Sequence, residues 1–325
     1  MTNWLGAYRA WTESTTGKRV LRIIRWLFVI AMLVWMTLKV NAIGWRKVSD
    51  SLPVTPWFYI LFLAMFLTLP ISETAIFQRI YDRPMARHLA VFIRKRVLNS
   101  ALVGYSGEVY FFLWARHNLS IPAKQLLVGL KDNAILSAVA AAMVTAGLVV
   151  LFLLSGQADL VTRWLNGEVK WFLAAALIAA FLLPVMLAFR NKIIGLSLGV
   201  AGSVLGLHVV RTVIVMGLQV TQWAVVIPDQ PWKVWLFFLT MQMVIARLPF
   251  IPNRELLFLS AGLEMSNAID GPREAMAGLL LAGGALTQGS NLIFFLLTSI
   301  RRPNEVPIGE SLPSDETMLA TPPAK

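Results

Sequence analysis

The chain alternates long apolar runs with short polar segments, and the runs have the length of helices that cross a bilayer. A hydrocarbon core about 30 Å thick takes about 20 helical residues to span. Runs of that order occupy Trp26–Trp45, Trp57–Phe77, Asn133–Ser155, Trp171–Phe189, Leu205–Ile227, Trp232–Ala246 and Ala275–Ile300. Two further stretches, Val97–Ala115 and Glu255–Met265, are shorter or interrupted. The pattern predicts an all-α, polytopic integral membrane helix bundle of about seven or eight spans, with one or two re-entrant or broken helices. It divides the chain into a basic amino-terminal segment (residues 1–24), a multispan domain (residues 25–302) and a polar tail (residues 303–325) whose prolines among Ser, Glu and Asp predict disorder.

Composition agrees with a lipid solvent. Hydrophobic residues make up 57% of the chain, charged residues 14%, and the mean hydropathy is +0.68, whereas a soluble domain is roughly a quarter charged. No stretch is left over for a soluble catalytic domain. The formal charge of +12 does not point to nucleic acid, because the basic residues flank spans in short loops and form no stripe with interleaved aromatics. Arg9, Lys18, Arg19, Arg22 and Arg25 precede the first run, and Arg79, Arg83, Arg87, Arg94, Lys95 and Arg96 follow the second. The positive-inside rule makes both segments, and with them the amino terminus, cytoplasmic. The segments Gly156–Lys170 and Pro228–Pro231 have no basic excess and read as outside. That parity requires Val97–Ala115 to enter and leave on one face, as a re-entrant hairpin does. The first run has no small-x-small cleavage site and reads as a retained span, and the absence of cysteine excludes disulfides and thiolate metal sites.

An ionisable residue inside a span costs at least a few kcal/mol, so each one is a candidate site. In Leu102–Phe112, two glycines and a serine stand just before Glu108, and an aromatic run then continues to Arg116. Such a stretch suits a broken helix lining a polar cavity, with Glu108 at the positive end of a half-helix. A carboxylate paired with a loop arginine at the interface is the alternative. A second segment, Arg247–Leu259, resembles the first: two prolines interrupt an apolar run, Arg254 and Glu255 follow, and a helix opens. Superimposing Glu108 on Glu255 aligns two short apolar runs and suggests an internal repeat. Interrupted helices at corresponding positions of two halves point to a transporter's substrate site. Arg211 lies within a span. Gly195, Gly199, Gly202 and Gly206 form one smooth face suited to close helix packing. Lys131 and Asp132 sit together just before a span, where a simple cytoplasmic cap is the competing reading.

Other chemistries have no signature. His88, His117 and His208 are isolated, with no spacing for a metal or an acyl-transfer dyad, and no phosphate-cradling loop ending in Lys-Ser/Thr occurs. No cofactor or metal is expected.

At Gly107-Glu108 with Arg116, Lys131-Asp132, and Leu248-Pro249-Phe250-Ile251-Pro252 with Arg254-Glu255 and Gly262, the sequence resembles the lysylphosphatidylglycerol synthase transmembrane family. That family's membrane domain accompanies aminoacyl-phospholipid synthases and also occurs alone. The resemblance runs over most of the chain and departs from the family pattern at Asn253, where glycine is common. It implies translocation of a phospholipid or polyprenyl-linked lipid between leaflets of the cell membrane, without the aminoacyl-transferase activity. Arg116, Arg211, Arg247 and Arg254 are then candidates to hold phosphate bidentately, and Glu108 and Glu255 to meet a cationic headgroup or orient the arginines. Two other readings stay open: a non-catalytic partner of a lipid or envelope-glycan biosynthesis enzyme, and a membrane transferase.

The charge pattern makes a topological prediction. A reporter active only outside the cytoplasm, fused after Lys18, is expected to be silent. Fused after Arg302 it is silent if Glu255–Met265 crosses the membrane and active if that stretch is re-entrant. Activity after Lys18 overturns the orientation.

Overall fold

The computed structural model describes residues 52–101, 106–156, 194–246, 258, 262 and 273–300, and among them every regular element is helical. In chain order the helices are α1 (Pro56–Tyr81), α2 (Leu89–Ala101), α3 (Ser106–Asn118), α4 (Ala123–Leu154), α5 (Leu198–Ala224), α6 (Trp232–Ile245) and α7 (Arg273–Ile300), with a short 3₁₀ turn at Ala86–His88 before α2. Four are long and apolar enough to cross a membrane: α1, α4, α5 and the Gly278–Ser299 part of α7. These coincide with four of the runs read from the sequence. The runs Trp26–Trp45 and Trp171–Phe189, Glu255–Met265 apart from Phe258 and Gly262, and both termini lie outside the described residues.

The run at Trp232–Ala246 forms a shorter apolar helix. Helix α6 has 14 residues, about 21 Å at 1.5 Å per residue, short of a full crossing. Val234 to Met241 are all buried, so α6 is apolar on every side because it is packed inside protein.

Two compact units divide the chain. In the unit that contains residues 87–131, α2 and α3 form an antiparallel hairpin. Ser106 Oγ donates to Leu98 O at 2.7 Å, Phe92 meets Phe111 at 5.4 Å between ring centroids, and His88 meets Trp114 at 4.9 Å. The register therefore runs from the closed end, near Leu98 and Ser106, to the open end, near His88 and Trp114. The sequence treats Val97–Ala115 as one interrupted stretch; it is the end of one helix and the start of its partner. The first backbone N–H groups of a helix lack internal acceptors, and α3 receives one from across the hairpin: Gly107 N–H donates to Asn99 Oδ1 at 2.7 Å.

In the unit that contains residues 132–287, α1 and α5 run antiparallel as the most extensively packed helix pair. Gln222 Nε2 donates to Phe58 O at 3.0 Å at one end. Proline stands at the start of α1, where no N–H is needed, and Asp82 ends the helix in the left-handed region at φ 51° with its N–H returning to Gln78 O. Phe58, Phe152, Trp223, Trp235, Phe237 and Phe238 build the core. Lipid tails are as apolar as these side chains, so dispersion and ring geometry hold this core more than expulsion from water does. The hydroxyls of Thr145, Thr212, Thr221 and Thr240 each donate to the carbonyl four residues earlier, which removes their need for any other partner.

The expectation that the glycine face of α5 serves close packing is corrected. No described residue comes within 4 Å of a Cβ built at Gly199, Gly202 or Gly206, because α5 turns Ala201, Val204 and His208 inward and leaves the glycines on the open side. Close approach occurs instead at Gly107, where an added Cβ would collide with Lys95 O and the Asn99 side chain. Gly107→Ala is expected to cost about 1–3 kcal/mol through overpacking. Gly202→Ala, in a helix interior with open space, should gain about 0.5–1 kcal/mol. Thermal unfolding of the two variants in one detergent checks both, and equal shifts would contradict this reading of the hairpin.

Candidate functional site

The hairpin concentrates its chemistry near its closed end. Glu108 stands in the first turn of α3, where the helix dipole favours negative charge. Its Oε1 lies 3.2 Å from Lys95 Nζ and accepts a hydrogen bond from Asn99 Nδ2 at 3.2 Å. The Lys95 side chain is 1% exposed and that of Glu108 23%, so the pair is mostly withdrawn from its surroundings. No hydrogen bond reaches the other carboxylate oxygen, Oε2, although it is buried. Glu108 therefore keeps accepting capacity after Lys95 and Asn99 are served.

Glu108 stands at the start of a helix, and its partners are Lys95 and Asn99 on α2 rather than a loop arginine. Lys95, counted in the sequence as a cytoplasmic loop cation, sits buried on α2 because Glu108 compensates its charge. Arg94 is also held within this unit. Its Nη1 donates to Thr298 O at 2.9 Å, and its guanidinium lies 5.4 Å from the Tyr110 ring centroid and 5.9 Å from that of Phe295. Arg116 occupies the last turn of α3, where a cation suits the negative end of the helix. Eight residues and about 12 Å of helix separate it from Glu108, so the two do not converge. His88, outside the candidate spans, has its pKa held below the ordinary imidazole value by burial and then by Arg87. Neutral and set against Trp114, it serves packing.

The other unit carries a separate polar series. Asp132 is buried, and its Oδ2 accepts the backbone N–H groups of Gly195 and Leu196 at 2.7 and 2.8 Å. It thus ties α4 to the segment entering α5. Its sequence neighbour Lys131 is exposed. Next to it, Asn133 Oδ1 lies 3.0 Å from His208 Nε2, and one turn further along α4 Ser137 Oγ accepts from Arg211 Nη2 at 3.3 Å. Glu73, buried on α1, acts electrostatically on Arg211. Arg211 is therefore held inside the unit by partners on α4 and α1.

Glu73, Asn133 and His208 were not weighed as membrane-depth partners in the sequence. His208 is a lone polar position in an apolar run, the criterion that singles out Glu108, whereas Glu73 stands between Ser72 and Thr74 and Asn133 directly follows Lys131-Asp132, so local pattern marks them less. Arg247, Arg254 and Glu255 lie outside the described residues, as does the break that resembles the one before Glu108.

No protein-family description, curated protein or solved structure matches the chain. Among the described residues, the motif-level resemblance rests on Gly107-Glu108, Arg116, Lys131-Asp132 and Gly262.

Removing one partner of a buried ion pair strands the other charge, at a cost of about 3–5 kcal/mol. Lys95→Met is therefore expected to destabilise the protein by that order, and Lys95→Met with Glu108→Met together to restore most of the loss. Thermal unfolding in nanodiscs provides the comparison. Additive losses would show that the two side chains do not act as a pair.

Proposed function

We propose that the chain is a lipid translocator of the inner (cell) membrane, related to the lysylphosphatidylglycerol synthase transmembrane family, that moves a phospholipid or polyprenyl-linked lipid between leaflets. The observation that carries this reading is the hairpin. Its helices have 13 residues each, about 20 Å at 1.5 Å per residue, too short to cross a core of about 30 Å. Arg87 and Arg116 lie at the open end and the Lys95–Glu108 pair near the closed end. A re-entrant hairpin entering from the cytoplasmic face would leave the open-end arginines at the interface and carry the ion pair to membrane depth. It would also satisfy the parity of the flanking charges, with the amino terminus cytoplasmic.

A headgroup passing through hydrocarbon needs polar groups along its path. Glu108 offers a second carboxylate oxygen to a cationic headgroup, and Arg211, Arg247 and Arg254 offer planar guanidinium forks for phosphate. The chain acts in this reading as a transporter without a catalytic domain, either alone or beside an enzyme that makes its lipid.

The test is a leaflet-resolved assay of labelled lipids in liposomes containing the purified protein. Translocation above that of protein-free liposomes is expected, and the double variant Lys95→Met with Glu108→Met, which keeps most of the stability, should slow it about tenfold, equivalent to about 1.4 kcal/mol in the barrier; Glu108→Gln should slow it as well but also lower thermal stability, because it strands the buried Lys95 charge. Normal translocation by Glu108→Gln removes Glu108 from the path. No protein-dependent translocation of any lipid turns the function toward that of a partner subunit.

A further inference from the structure

We propose that a cavity between α1 and α5 binds the zwitterionic headgroup of a phospholipid bearing a primary amine, with phosphate on Arg79 and ammonium on Asp82. The cavity has a volume of about 650 Å³, and its polar lining includes Thr74, Gln78, Arg79, Asp82 and Ser203. That size falls within the range of about 300–1,000 Å³ typical of small-molecule sites. Gly206 on α5 contributes to the wall opposite, with no side chain to fill the space.

The charges in the cavity are opposite and, among the described residues, unengaged. Arg79 and Asp82 are three residues apart, a spacing that would bring them together on a continuing helix. Asp82 has left the helix through its left-handed backbone, φ 51°, and no ion pair or side-chain hydrogen bond holds Gln78, Arg79 or Asp82 among the described residues. A guanidinium and a carboxylate sharing one cavity match a ligand with an anionic and a cationic group a few bonds apart. An anionic headgroup would face Asp82 with no cation of its own. A quaternary ammonium would satisfy the charge but has no N–H to donate to the carboxylate, whereas a primary ammonium has three.

The surroundings select a lipid over a soluble phosphoamine. Val210 lines the cavity and is exposed, and Ile71, Val213 and Ile214 continue an exposed apolar surface along the same two helices. Acyl chains have a place to lie where the headgroup's polar contacts end. Arg79 and Asp82 close the end of the span that the flanking basic residues make cytoplasmic, so the site would receive its lipid from the cytoplasmic leaflet. The identification of a lipid as ligand rests on the translocation reading above.

The experiment measures lipid binding by native mass spectrometry and thermal unfolding of the purified full chain. The probes are phosphatidylethanolamine, phosphatidylcholine and phosphatidylglycerol of identical acyl chains, with soluble glycerophosphoethanolamine as a further arm. Phosphatidylethanolamine is expected to bind about tenfold more tightly than the other two lipids, the scale of one charge-assisted hydrogen bond. Arg79→Gln should weaken phosphatidylethanolamine and phosphatidylcholine alike. Asp82→Asn should bring phosphatidylethanolamine down to phosphatidylcholine and leave the fold intact, since asparagine tolerates the left-handed conformation. Equal binding of the three lipids, or an undiminished preference in Asp82→Asn, overturns the proposal. Binding of glycerophosphoethanolamine as tight as that of the lipid overturns the lipid assignment. Translocation without this preference removes the headgroup site alone; preferential binding without translocation supports the site and removes the transport reading alone.

Discussion

A chain that leaves water takes with it every backbone amide and every polar side chain it possesses, and hydrocarbon offers none of them a partner. Each group left unsatisfied costs several kcal/mol, so the architecture follows from where partners are found. Regular helices settle the backbone within each span. Threonines turn their hydroxyls back onto the preceding turn, as Thr145, Thr212 and Thr240 do, and contribute no demand of their own. What remains is a small set of charged and amide side chains, and these fix which helices must lie together.

The two units meet that demand differently. In the hairpin the helices are short and their crossing is tight, because Gly107 lets α3 approach the backbone of α2 closely enough for Asn99 to receive its amide. The same approach brings Glu108 to Lys95. The glycine, the capping amide and the ion pair are three consequences of one close contact, and a change at Gly107 disturbs all of them. In the other unit the helices are long, and the partners are spread along them: Asp132 to the chain before α5, Asn133 to His208, Ser137 to Arg211, Gln222 to the start of α1. Each pins a different level of the helix pairs, so register is set without any one contact being dominant.

Much of this was legible in the sequence, and the failures share a cause. The positions of α1, α4, α5 and α7 follow from apolar length, and the break before Glu108 follows from two glycines and a serine within an apolar stretch. A cation beside other cations, as Lys95 is, counts as loop charge until its partner is known, and that partner lies 13 residues away on the next helix. The α5 glycines were misread because periodicity identifies a face but not what meets it. Pairing between separated residues is not encoded in local pattern, and each of these errors is an error about pairing.

The two close sets of opposite charge therefore carry different meanings. Lys95 and Glu108 are engaged with each other, so most of their electrostatic attraction is already spent in holding α2 to α3; what Glu108 can still offer is one carboxylate oxygen. Arg79 and Asp82 are near in sequence and stand apart in the structure, at the exposed mouth of a cavity, kept from pairing by the left-handed turn that ends α1. An ion pair already formed resists exchange, because a ligand must first replace the interaction it disrupts. Charges held apart bind more readily, because recognition adds interactions and removes only solvent. In the proposed translocation, the hairpin would then be a pre-organised element of the path and the end of α1 the place where a headgroup is first met.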